Sequence, residues 1–226
     1  MSEATGYRTV GRRPQALTTP RSAAIAGILF AVLLASSLVL IRLSVPADLD
    51  DAGDWLQSRA RRNAVVVALN LVPFAGIAFL WFIGVVRDRI GDFEDRFFST
   101  VFLGSGLLFL AMLFASTAVA GALVGAYGQG ELGPDVWAFG RTATYTTLSV
   151  YATKMAGVFM VSTATISLRT GVLPRWLALL GLLLAFVLLL SVTAVAWIEL
   201  IFPLWVLMVS IHVLRARFPR RVDAAR

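Results

Sequence analysis

Long apolar runs, each near the length that crosses a bilayer, constrain this chain more than any other feature. A helix rises 1.5 Å per residue, so roughly 20 consecutive apolar residues cover about 30 Å of hydrocarbon. Ala23–Ile41, Ala64–Val86 and Thr147–Leu168 meet that length, and Phe97–Tyr127 exceeds it, so that one of its ends should project. The stretch Trp176–Leu214 is interrupted formally only by Glu199 and His212 and is too long for one crossing. It reads as a hairpin: Arg175–Thr193, a turn near Ala194–Trp197, then Ile198–Leu214. The expected fold is all-α, a polytopic transmembrane helical bundle of six spans within residues 22–214. Five spans follow if the last hairpin fails to turn. Residues 1–21 read as a disordered cytoplasmic tail and 215–226 as a basic cytoplasmic tail.

Helix punctuation falls where these divisions need it. Asp54 with Gln57 has the spacing of a capping box before the second span, and Asp92 with Asp95 before the third. Thr170-Gly171 reads as the C-cap of the fourth span, and Pro174 as a helix start, where its missing N–H costs little. Pro134-Asp135 suits a short interfacial helix over Val136–Phe139, stopped or bent at Gly140. The segment Arg87–Phe97 puts Ile90, Phe93 and Phe97 on one side of an amphipathic turn. Small residues at Ala23, Gly27, Ala31 and Ala35, and the pair Gly121 and Gly125, mark faces where helices approach closely in lipid. They serve the bundle itself or a homodimer.

Basic residues then orient the spans. With the N-terminus inside, fourteen arginines fall in inner segments: Arg8, Arg12, Arg13, Arg21, Arg87, Arg89, Arg96, Arg169, Arg175, Arg215, Arg217, Arg220, Arg221 and Arg226. Five, Arg42, Arg59, Arg61, Arg62 and Arg141, fall outside. The excess places both termini in the cytoplasm. The cluster Arg59, Arg61 and Arg62 dissents, unless the second helix projects and lifts it above the lipid.

The same composition removes whole classes of function. Charged residues make up 15% of the chain, against about 25% in soluble domains. The net charge of +7 sits in short segments flanking apolar runs, with no folded basic element outside them, so nucleic acid is not an expected partner. Cysteine is absent, which excludes disulfides, thiolate metal sites and thiol nucleophiles. His212 is alone, which excludes bis-histidine haem ligation and a His-x-x-x-His metal motif within one chain. Asp48, Asp50, Asp51 and Asp54 lack the alternation of a calcium loop and read as solvated caps. Ser105, in Gly104-Ser105-Gly106, has no base suggested nearby and reads as a small packing residue. The run after Arg21 is long for a signal-peptide core and reads as a retained helix. No catalytic residue, cofactor or metal site is expected.

Ionisable groups inside a span are functional candidates by default. Lys154 should lie about 7 Å below the outer boundary of the fourth span, at 1.5 Å per residue. Glu199 opens the sixth span within a turn of the same boundary, so a Lys154–Glu199 pair is feasible if those helices touch. Tyr151 shares the Lys154 face at i−3, with Thr147 continuing the line, and Tyr145, Arg141 and Tyr127 approach from outer segment ends. A structural ion pair with an aromatic interface belt is the default role. A ligand or lipid-headgroup site, or a path for protons or ions, is the alternative. Pro203 removes the N–H that would bond the Glu199 carbonyl, suggesting a kink there. Pro73 does the same for Leu69 beside Asn70, which reads as helix–helix glue before it reads as a ligand.

Two motifs, Val86-Arg87-Asp88-Arg89-Ile90-Gly91-Asp92-Phe93-Glu94-Asp95-Arg96-Phe97-Phe98 and Leu168-Arg169-Thr170-Gly171-Val172-Leu173-Pro174-Arg175-Trp176-Leu177, resemble a group of uncharacterised actinobacterial integral membrane proteins. The resemblance covers most of Arg21–Leu214 and implies a helical bundle resident in the bacterial plasma membrane. It carries no activity or ligand. The expectation is a non-catalytic inner-membrane protein that serves in a membrane complex or handles small molecules or lipids. The alternatives are a secondary transporter with its site near Lys154 and Glu199, and an intramembrane lipid-modifying enzyme. Membrane lipids are the expected partners.

Overall fold

The computed structural model describes residues 20–45, 53–90, 96–191 and 197–215. The described residues are helical, with short turns and no strand. They form α1 (Pro20–Ser44), α2 (Arg59–Ile90), α3 (Arg96–Gln129), α4 (Pro134–Tyr145), α5 (Thr153–Thr170), α6 (Arg175–Leu190) and α7 (Ile201–Arg215). Four of the helical stretches, Arg21–Ser44, Arg59–Arg87, Phe97–Gln129 and Ile198–Arg215, are long and apolar enough to cross a membrane. α6 is also apolar but shorter.

Neighbouring helices run antiparallel, and specific contacts set their register. Ser37 donates to the Ala68 carbonyl at 2.8 Å, while Gly27, earlier on α1, faces Phe82, later on α2. Gly76 of α2 faces Phe114 of α3, and Gly106 faces Ile83. Gly157 of α5 packs on Ala185 and Leu189 of α6. α7 returns along α1, with Glu199 beside Arg42 at one end and Ser210 against Gly27 at the other. The rods form a ring in chain order, α1, α2, α3, α5, α6, α7, and α7 closes it on α1. α6 leans chiefly on α5 and α7 on α1, and the two meet where Gly181 of α6 lies against the buried indole of Trp205 of α7.

Phenylalanine fills the centre of this ring. Phe79 of α2 is fully buried and its ring lies 4.5 Å from Phe30, 5.5 Å from Phe109, 5.2 Å from Phe159 and 5.6 Å from Phe202. These rings come from α1, α3, α5 and α7, so one residue ties five helices. Lipid tails are as apolar as these side chains, so such a core holds through close packing and tilted ring contacts more than through exclusion from water. Gly27 supplies the closest approach: a Cβ there would lie 2.1 Å from the Ser210 hydroxyl and 2.8 Å from Phe82. The small-residue line on α1 is thus an internal packing face. Gly121 and Gly125 meet nothing within 4 Å and serve no described helix of this chain.

Three local expectations are corrected. Asp54 and Gln57 do not cap α2: they belong to a separate 3-10 turn, Asp54–Gln57, entered through Gly53 at φ 91°, and α2 starts at Arg59. Gly140 neither stops nor bends α4. It is there because Leu123 of α3 would lie 2.5 Å from any Cβ, and the helix passes straight through it. The irregularity comes later, as a π-helical segment over Thr146–Ala152 with helical backbone at both junctions, so Pro134–Thr170 is one continuous rod. Pro203 makes no kink either. A 3-10 turn, Ile198–Leu200, precedes α7, and the proline lies in the helix's first turn, where a backbone N–H would have no intrahelical acceptor and its absence costs little.

Other punctuation is found where the spacing puts it. Gly171 adopts φ 69°, its N–H donates to the Ser167 carbonyl, and Pro174 is the N-cap of α6. Arg169 stacks over Phe98 at 4.6 Å and ties α5 to α3 at this end. Ser105 donates to the Val101 carbonyl of its own helix at 2.7 Å, as suits a packing residue. The capping pair Asp92–Asp95, residues 194–196 of the last turn, most of the Arg87–Phe97 amphipathic turn and both tails beyond 20–215 lie outside the described residues.

Candidate functional site

The polar side chains gather at the end of the ring where α1 finishes and α7 begins, here called the upper end. Arg42 lies in the last turn of α1, and Glu199 in the turn before α7. Antiparallel packing of these two helices brings the groups together: Arg42 Nη2 lies 3.5 Å from both Glu199 oxygens, with the side chains 18% and 10% exposed. Ser149 of the π segment donates to Glu199 Oε1 at 3.0 Å. A π turn closes i→i+5 bonds and such segments frequently occur at functional sites. This one puts a hydroxyl of the long rod against the carboxylate.

Above the pair, a second aromatic cluster closes the upper end. Trp55 and Leu56 of the 3-10 turn pack with Val65, Leu123 and Trp137, the two indoles 6.2 Å apart. The turn is held from below by Arg62, which donates to the Leu56 carbonyl at 2.6 Å and lies over the Tyr127 ring at 5.7 Å. Arg141 of α4 lies one turn after Trp137 and is only 8% exposed, its guanidinium 5.7 Å from the Tyr145 ring.

Between the ion pair and this roof lies a cavity of about 120 Å³. Its walls are aliphatic residues of α1, α2 and α3, such as Leu34, Leu38, Val72 and Leu113. Arg42, Glu199, Arg141 and Tyr145 line it at the polar end, with Trp55, Trp137 and Trp197. Trp55 is 5% exposed and its Nε1–H has no acceptor, a buried donor facing a cavity. Trp137, Arg141 and Tyr145 also line an open depression on the upper surface, so they form the wall between the cavity and the outside. Trp197, the one non-glycine residue at positive φ (71°) among the described residues, stands between the cavity and an apolar groove along α6 and α7.

The structure separates the expected site residues into two groups. Glu199, Arg141 and Tyr145 meet at the cavity. Lys154, Tyr151 and Asn70 do not. Lys154 and Glu199 form no pair: Lys154 Nζ donates to the Leu188 carbonyl at 2.9 Å and to the Ser191 carbonyl, bonding the open C-terminus of α6. The two charges share a height, but Lys154 faces α6 and Glu199 faces α1. Tyr151 is 56% exposed and belongs to the π segment, whose i→i+5 winding departs from the i, i+3 register that would place it above Lys154 on one face. Asn70 is exposed and donates to the Val66 carbonyl of its own helix at 2.8 Å, so it glues no helices together. Arg42, Ser149, Trp55 and Trp137 are site residues that the sequence reading does not single out. Arg42 has a signal, since it ends α1 at the same depth as Glu199. Nothing in the local sequence marks Ser149.

Comparison with protein-family models, with curated proteins and with solved structures finds no match to this chain.

Proposed function

We propose that this chain is a non-catalytic, six-span membrane protein that holds a small amphipathic molecule or lipid in the cavity at its upper end. The observation that carries the proposal is the combination of apolar walls with a buried ion pair, a buried arginine and an unsatisfied indole donor at one end of the same cavity. Ligand sites have this character: mostly apolar, with a few placed polar groups that fix orientation. The four long apolar helices supply four crossings, and the π segment with α5, and α6, supply the other two. Alternating direction around the ring supports both termini on one side, and the arginine excess places that side in the cytoplasm of a bacterial plasma membrane. The upper end then faces outward. Membership of the actinobacterial group rests on the two motifs alone.

The transporter reading loses its support, because Lys154 bonds a helix end and Pro203 starts a helix. For the lipid-modifying enzyme the one hydroxyl–carboxylate contact described at the cavity is Ser149 on Glu199, and that carboxylate is already engaged by Arg42. A role in a membrane complex draws on the face around Gly121 and Gly125 alone, where an added Cβ would meet open space.

The chain has no cysteine, so single cysteines can be introduced without background. Asp54→Cys and Gly130→Cys should react with a membrane-impermeant maleimide in intact cells, and Gly171→Cys only after lysis. Labelling of Gly171→Cys in intact cells would overturn the topology. Binding is tested by quenching tryptophan fluorescence with a brominated single-chain amphiphile, because Trp55, Trp137 and Trp197 line the cavity. Ala120→Phe, which fills the cavity, should abolish the saturable part of the quench; unchanged quenching would refute the binding site.

A further inference from the structure

The open space does not end at the ion pair. A second, smaller cavity of about 20 Å³ lies against the first and shares the walls Leu34, Leu38, Leu113, Leu148 and Glu199 with it, so only side chains part the two. This lower chamber adds Phe109, one turn below Leu113, and Phe202, one turn below Glu199. It also adds Ala152 and Ala156, on successive turns of the long rod. Both alanines are buried and leave the space that a longer side chain would fill.

Polar groups stop at the neck between the chambers. Glu199 there is engaged by Arg42 and Ser149. The Thr153 hydroxyl, on the wall of the lower chamber, donates to the Leu148 carbonyl at 3.1 Å. The remaining side chains around the lower chamber are hydrocarbon. A polar atom carried down there would leave water and gain no donor, whereas a methylene forfeits nothing. We infer that the ligand is a single unbranched chain bound tail first, and that Phe109, Phe202, Ala152 and Ala156 set the length it can have. The inference rests on the amphiphile-binding reading above and names the substrate class of that site.

Two measures of that length agree. At about 10–15 Å³ of such space per water, the two chambers together hold roughly ten waters. A methylene takes about the volume of one water, so about ten non-hydrogen atoms fill them. The lower chamber alone holds roughly two, which leaves it one chain wide and excludes a branched or two-chain lipid. Along α1, Arg42 stands eight residues above Leu34, about 12 Å at 1.5 Å per residue. With bonds of about 1.5 Å an extended chain advances roughly 1.3 Å per carbon, so about nine carbons span that depth.

The experiment uses the full chain in neutral detergent, with alkanols from hexanol to hexadecanol brominated beside the hydroxyl. Tail-first binding sets the bromine near Trp55, Trp137 and Trp197, which it quenches. Affinity is read as mole fraction in the micelle, so that the partition of longer chains cancels. It should hold up to about decanol and then fall. Each methylene without an apolar place costs roughly fourfold, so about tenfold is lost over the next two carbons. Ala156→Leu adds about three carbons at the floor and should lower the cut-off by about as many. Phe202→Leu removes about as many and should raise it. Should either variant fail to fold, the other suffices. A cut-off that stays put in a folded variant, or affinity that runs level through hexadecanol, would overturn the length limit; if Ala120→Phe still abolishes the quench, the cavity reading survives. Quenching that Ala120→Phe leaves unchanged at every length would overturn both.

Discussion

The ion pair between Arg42 and Glu199 gives the sharpest quantitative test. At 3.5 Å and an effective dielectric near 20, its gross attraction is about 5 kcal/mol. Desolvating two ions costs several kcal/mol each in such surroundings, so the intact pair contributes little net stability. Breaking it from one side is a different matter, because the other charge stays buried. The two sides are unequal. Arg42→Met leaves the Glu199 carboxylate, 10% exposed, with only the Ser149 hydroxyl, and should cost about 3–4 kcal/mol. Glu199→Gln leaves a guanidinium in the last turn of α1, where the helix dipole favours a cation and a long stem can reach toward water. That change should cost about 1–2 kcal/mol, the scale of one lost charge-assisted hydrogen bond. The double substitution leaves no orphaned charge and should cost well under the sum, giving a coupling of about 2 kcal/mol in a double-mutant cycle. Reversible unfolding in mixed micelles, followed by circular dichroism, measures all four corners. Additivity within about 0.5 kcal/mol, or a larger loss for Glu199→Gln than for Arg42→Met, would refute this account of the pair.

Three further substitutions use the same assay. Gly27→Leu forces side-chain volume into a gap where a Cβ alone would lie 2.1 Å from Ser210, and should cost more than about 2 kcal/mol, at the upper range for overpacking. Gly121→Leu meets open space and should stay within about 0.5 kcal/mol; a large loss at Gly121 would show that face to be covered by a second molecule. Lys154→Met leaves the Leu188 and Ser191 carbonyls at the end of α6 without their cation and should cost about 2 kcal/mol. Amphiphile binding by that variant should match the parent, since Lys154 does not line the cavity; lost binding in a well-folded variant would restore a site at Lys154.

The helices are legible because lipid-length apolar runs and end signals act locally. Gly171 after Thr170 takes the left-handed cap, and Pro174 the helix start, that their local spacing predicts. The misread positions are those where a partner distant in sequence decides. Gly140 looks like a break in isolation and is a contact in the fold, because Leu123 needs its missing Cβ. Asp54 and Gln57 have capping spacing, yet Trp55 and Leu56 between them are pulled under Trp137 and hold the turn apart from α2. The π segment has no local signature either: its backbone shift is offset by Ser149 reaching a carboxylate on another element.

The Lys154–Glu199 expectation fails for a reason that applies to any bundle. Rise per residue gives depth, one coordinate of three, and at that it succeeds: Lys154, Glu199 and Arg42 are all at the upper end. Depth says nothing about which way a side chain points around its helix or which helix stands there. The ring order supplies that missing coordinate. α7 closes on α1, so Glu199 finds Arg42; α5 backs onto α6, so Lys154 finds the carbonyls of Leu188 and Ser191. Each cation thus takes the nearest unsatisfied oxygens on its own side of the ring. In the sequence Arg42 reads only as one of the outer charges that set orientation, yet a guanidinium one turn inside a span needs a partner as much as a lysine does. Testing every charge near the shared boundary, including those that set topology, offers Arg42–Glu199 as a rival pair, and the α1–α7 contact decides in its favour.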